Sequence, residues 1–144
     1  MEETIGYLLR KVAIRYRYFL HKQLNKDQRN VGKDLVIYHL SKREGLTQND
    51  VVEKLQVKAS SVSSIIDQME KDSLIIKVQD KKDRRKFRLS LSRKGQDLIQ
   101  PVINSWNDIQ EQITFGFNFE EKQMFYSLLE RVAKNLDNLI EQNC

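Results

Sequence analysis

Apolar residues recur at helical spacing over three long stretches of this chain, and at strand spacing over one short pair of segments. Residues 4–24 carry Ile5, Leu8, Leu9, Val12, Tyr16, Phe19 and Leu20, an i, i+3, i+4, i+7 stripe that predicts a long amphipathic helix. Residues 34–43, with Leu35, Val36, Tyr38, His39 and Leu40, predict a short helix with Gly45 as its stop. Thr47 followed by Asp50, with Leu46 and Val51 around them, has the spacing of a capping box and a hydrophobic staple. A second short helix therefore starts there and runs to about Leu55. After Gln56 and Val57, residues 59–71 place Val62, Ile65, Ile66 and Met69 on one face and Ser60, Ser61, Ser63, Ser64 and Gln68 on the other. Residues 74–78 and 87–91 read as β-prone runs. From Ser92 the helical period returns through Leu98, Val102, Trp106, Ile109 and Ile113. Pro101 either kinks that helix or sits in the first turn of one that begins near residue 100. A break at residues 115–118 precedes a last helix lined by Phe125, Leu128, Leu129, Val132, Leu136, Leu139 and Ile140.

Two short helices joined by a few residues, the second apolar on one side and small-polar on the other, form a helix-turn-helix pattern, and a hairpin after them makes a winged helix. The predicted fold is mainly α. It is a single domain over residues 1–144, with a winged helix-turn-helix lobe over about 31–95, a small β-hairpin wing, and N- and C-terminal helices at about 1–30 and 100–144. The first and last apolar stripes are too extensive for the rim of a monomer of this size. Either they cover one another and the core within one chain, or, as favoured here, the terminal helices interleave with those of a second copy.

Charge sharpens this picture. Residues 54–94 hold twelve Lys/Arg against five Asp/Glu, residues 1–53 ten against seven, and residues 95–144 three against eight. The excess peaks in the run from Asp80 to Arg88, between the two strands. A basic centre with an acidic tail, in a chain with a pI near 9.3, fits a nucleic-acid reader whose other parts face elsewhere. Hydroxyl side chains on a helix allow close approach to a groove, donate to phosphates and reach base edges. A charge run or a serine face is ordinary alone; their conjunction at this spacing is far more specific.

Other chemistry finds little support. His21 and His39 are the only histidines and lack metal-site spacing, and no Gly-rich phosphate loop or G-x-S-x-G elbow occurs. No catalytic residue, metal or cofactor is expected. The single cysteine, Cys144, permits no intrachain disulfide, which fits a reducing compartment. No apolar run approaches the roughly 18 residues of a membrane span, and Met1-Glu2-Glu3-Thr4 is unlike a signal peptide, so a cytoplasmic protein is expected.

The stretch from Leu55 to Ile75 resembles the recognition helix, and its exit into the wing, of the MarR family of bacterial transcription regulators. Asp83-Arg84-Arg85-Lys86-Phe87-Arg88-Leu89-Ser90-Leu91-Ser92-Arg93-Lys94-Gly95 is similar to that family's wing signature. The resemblance covers nearly the whole chain. It implies a homodimer on a pseudo-palindromic double-stranded DNA site, most often repressing and tuned by a small-molecule effector. It also implies that Arg85 enters the minor groove with Asp83 holding it, and that Arg84, Lys86 and Arg88 serve as phosphate contacts. Lys58, Ser60, Ser61, Ser63, Ser64 and Gln68 complete the expected DNA-binding set. Tyr7, Arg10, His39 and Trp106 are candidates for an effector pocket, although core packing also suits the aromatics. Two departures stand out: Lys58 replaces the serine that often opens the recognition helix, with Ser64 in place of an arginine, and Gln56 replaces a common glycine. The competing reading is a winged helix used for protein–protein contact.

Overall fold

The computed structural model describes residues 1–27 and 29–143, so any role of Cys144 lies outside the described residues. The chain forms two compact units, residues 1–106 and 107–144.

In the first unit, helix α1 (Ile5–Asn25) starts where the Thr4 hydroxyl accepts the Tyr7 amide N–H at 3.2 Å. Helix α2 (Val31–Lys42) starts three residues before the apolar pattern predicts, because Asn30 caps it through the Lys33 amide at 2.8 Å. Gly45 does not stop α2. The helix ends at Arg43 in extended backbone, and Gly45, at φ +82°, makes the turn into strand β1 (Leu46–Thr47).

Helix α3 (Gln48–Leu55) has the predicted capping box. The Asp50 amide donates to the Thr47 hydroxyl at 3.2 Å and the Thr47 amide to the Asp50 carboxylate at 2.9 Å, while Leu46 and Val51 are both buried. Gln56 turns the chain in left-handed backbone (φ 52°, ψ 42°), which explains why glycine is favoured at such a position. Helix α4 (Ala59–Lys71) follows. Its residues Val62, Ile66 and Met69 are completely buried against a core that includes Val36, Leu40, Val51 and Leu89. Each such side chain contributes about 1.5–3 kcal/mol on burial.

Strands β2 (Ile75–Gln79) and β3 (Phe87–Leu91) form the hairpin, in register from Ile75 opposite Leu91 to Gln79 opposite Phe87. The sheet has a third strand that the pattern does not predict: β1 pairs antiparallel with β3, giving the order β1-β3-β2. The single-turn helix α5 (Arg93–Gln96) lies where the helical period returns after Ser92, but as a turn separate from the helix that follows. Ser92 builds it, donating its hydroxyl to the Ser73 carbonyl at 2.6 Å and accepting the Gly95 amide at 3.1 Å. A Cβ on Gly95 would lie 2.2 Å from the Leu74 carbonyl oxygen, so only glycine fits. Helix α6 (Ile99–Ile113) resolves the Pro101 question: the proline lies in its first turn, where the missing N–H has no helical partner to lose.

The second unit holds the end of α6, a turn, and helix α7 (Phe119–Gln142), which opens with an Asn118–Glu121 capping box. Phe117 packs on Phe125, and Lys122 pairs with Glu111 at 2.8 Å. No residue of α7 is buried, and Leu128, Leu129, Leu136, Leu139 and Ile140 all remain exposed. No helix among the described residues is long and apolar enough to cross a membrane, and no three of their His, Cys, Asp or Glu side chains group as a metal site.

Candidate nucleic-acid interface

With its apolar side committed to the core, α4 turns Ser60, Ser61, Ser64 and Gln68 to solvent, while Ser63 is half-buried. Lys58 occupies the N-cap, where its ammonium has no acceptor to offer the helix amides, and it is exposed beside the serines. Gln68 donates to Asp72 at 3.2 Å. Lys77 on β2 reaches Asp67 and Glu70 of α4 at 3.5 and 3.8 Å, joining the wing to the serine helix.

The wing tip is a sequence of local hydrogen bonds. Asp80 accepts the Lys82 amide at 2.8 Å and donates its own amide to the Lys86 carbonyl, and the Lys86 amide returns to the Asp83 carbonyl at 3.0 Å. Asp83 Oδ1 then accepts both the Arg85 amide at 3.1 Å and its Nε–H at 3.2 Å. Those Arg85 bonds hold the Asp83 carboxyl below the usual carboxylate range, the side-chain bond foremost. The Arg85 guanidinium is oriented by this contact yet 91% exposed, pointing a fixed cation into solvent. Arg84 and Lys86 make no ion pair among the described residues. Arg88 differs: it donates to the Gly45 carbonyl at 2.8 Å and forms an ion pair with Asp80 at 3.1 Å. The Lys82 amide first, and Arg88 after it, keep the Asp80 carboxyl below its ordinary range. A cavity of about 220 Å³ between the starts of α3 and α4 and the wing is lined by Gln48, Asn49, Val52, Lys77, Lys86 and Phe87, among others.

The four effector candidates are not brought together. Trp106 lines an apolar cavity of about 200 Å³ with Leu35, Tyr38, Val102 and Ile103; Tyr7, Arg10 and His39 are not among its walls. His39 packs edge-on against Tyr38, and burial, then Lys54, lowers its imidazole pKa. The residue that organises this region is Asp34, which the apolar pattern does not single out. It is 2% exposed, accepts the Trp106 indole N–H at 2.9 Å and the Arg29 Nε–H at 3.2 Å, and forms an ion pair with the Arg29 guanidinium. A lone aspartate on a short helix gives no sequence sign of burial.

A model of the MarR family matches residues 35–86, which span α2 through the wing tip. The HTH-type transcriptional regulator BilQ of Clostridioides difficile is 22% identical over 97% of this chain and 94% of its own length. Among solved structures, Bordetella bronchiseptica BpsR, whose DNA binding is regulated by 6-hydroxynicotinic acid, superposes with a TM-score of 0.82 at 21% identity, covering 92% of this chain and 95% of that one. S. aureus MepR in its DNA complex gives 0.77 at 21% identity, covering 92% and 98%. Over its helix-turn-helix and wing the chain matches a model of the MarR family, along nearly its whole length it is similar to an HTH-type transcriptional regulator, and it shares the winged-helix fold of BpsR and MepR.

Proposed function

We propose that the protein binds a pseudo-palindromic double-stranded DNA site as a homodimer, inserting α4 into the major groove and the wing into the flanking minor groove, and most often represses transcription. The observation that carries this reading is Arg85: an exposed guanidinium, oriented by Asp83, at the tip of a hairpin that pairs with Asp67 and Glu70 of α4 through Lys77. A narrow A·T minor groove has enhanced negative potential, which such a cation exploits. Ser60, Ser61, Ser64 and Gln68 are the exposed groups that reach bases and phosphates, with Ser63 at the edge of that face. Lys58, Arg84 and Lys86 neutralise phosphates. Residues 31–95 form the DNA-binding lobe, while the exposed stripes of residues 1–30 and 100–144 pair the two copies, an apolar interface of the kind that commonly exceeds roughly 2,000 Å². The cavity at Trp106 suits a small effector, in keeping with the regulated DNA binding of BpsR.

A salt titration of affinity tests this reading, using a duplex recovered by selection from random DNA. Log affinity should fall linearly with log salt, and Lys86→Ala should flatten the slope by about 0.9, one phosphate contact. If no duplex is recovered and affinity ignores salt, the winged helix serves protein contact instead.

A further inference from the structure

Arg88 lies on β3 opposite Val78, and its guanidinium joins two loops far apart in sequence. One nitrogen donates to the Gly45 carbonyl, in the turn that leads into β1 and α3; the other forms an ion pair with Asp80, the first residue of the wing tip. Both ends are fixed. Gly45 donates its own amide to the Leu89 carbonyl at 2.9 Å, and the second oxygen of Asp80 holds the Lys82 amide. The Asp80 side chain is only 11% exposed, so its charge is directed at Arg88 rather than at water. The Arg88 side chain is 49% exposed and keeps further N–H donors, but a phosphate that took them would have to approach the Asp80 carboxylate. Arg84 and Lys86 carry no such commitments.

We propose that Arg88 is a positioning residue that latches the wing to the turn before the helix-turn-helix, and so sets where Arg85 meets DNA, without itself holding a phosphate. This rests on the DNA-binding reading above. A two-stranded ribbon twists readily, so a brace at its base governs the tip three residues away. Base-sensitive reading should therefore depend on the latch, whereas the phosphate count should not.

Affinities of the unmodified protein, Arg88→Ala, Asp80→Ala and the double variant are compared on the selected duplex and a scrambled one at several salt concentrations. Arg88→Ala should lower the selected-to-scrambled ratio about tenfold, the scale of one misread base pair, with the salt slope unchanged. Asp80→Ala should lower the ratio likewise, and the double variant no further, since both remove one latch. A phosphate contact behaves in the opposite way. Arg88→Ala would then weaken both duplexes equally and flatten the slope by about 0.9, and Asp80→Ala would strengthen both with the ratio intact. Either result overturns the proposal. Circular dichroism monitors folding. Should an alanine variant not fold, Arg88→Lys and Asp80→Asn carry the comparison, each with a smaller loss of ratio and no change of slope. An unmodified protein that does not discriminate the duplexes overturns the DNA-binding reading itself.

Discussion

Replacing Asp34 by alanine should be the most damaging single change at a charged residue of the first unit. The carboxylate is 2% exposed and ties α6 to α2 through Trp106 and the chain before α2 through Arg29. Removing one partner of a buried pair costs about 3–5 kcal/mol, because the other charge stays behind uncompensated. Here the Arg29 side chain is 22% exposed and relaxes partly toward water, so the lower end applies, about 3 kcal/mol. Asp34→Asn keeps an acceptor for the indole and gives up only the charge, so about half of that loss is expected. Trp106→Phe removes the single indole bond, a hydrogen bond to a charged group worth about 1.5–3 kcal/mol. Urea unfolding at fixed protomer concentration measures all three. With a slope near 2 kcal/mol per molar urea, Asp34→Ala should lower the midpoint by about 1.5 M. A shift below about 0.5 M at unchanged slope would refute the argument that this carboxylate holds α6 on α2.

Gly95→Ala forces a Cβ to within 2.2 Å of the Leu74 carbonyl, and thermal melts should show a loss of about 2–3 kcal/mol where a helix-surface glycine would gain. Gln56→Gly relieves left-handed backbone at the α3–α4 turn, and denaturant curves should show a gain of about 0.5 kcal/mol after the added freedom of the unfolded chain is counted. Burial and Lys54 lower the folded pKa of His39, so its contribution to stability is present above the unfolded value of 6.5 and is lost as pH falls through the folded value. Urea midpoints at pH 7.5 and 5.5 should differ less in His39→Gln than in the unmodified protein.

The helix-turn-helix was legible because its signals are local: Thr47 and Asp50 sit three residues apart, and the apolar side of α4 repeats within thirteen residues. The hairpin was legible for the same reason. What escaped depends on distant partners. Strand β1 is two residues long and exists because β3, more than forty residues later, pairs with it. The burial of Asp34 is created by Trp106, 72 residues away, and the ties of Arg88 run to Gly45, 43 residues away, so in the sequence Arg88 reads as one more cation in a basic run. Gly45 was misread because a glycine after a helix resembles a cap, whereas here the left-handed backbone serves a turn into the sheet.

The central claim, that the wing reads the minor groove through Arg85, is tested most directly by a cycle of protein and DNA changes. Affinity is measured for the unmodified protein and Arg85→Ala, each on the selected duplex and on one with the A·T pairs at the wing positions exchanged for G·C. The unmodified protein should lose about 1–3 kcal/mol on the exchanged duplex, and Arg85→Ala, already weakened by that amount, should lose almost nothing more. Equal losses for both proteins would show that Arg85 is not the reader and would contradict the account.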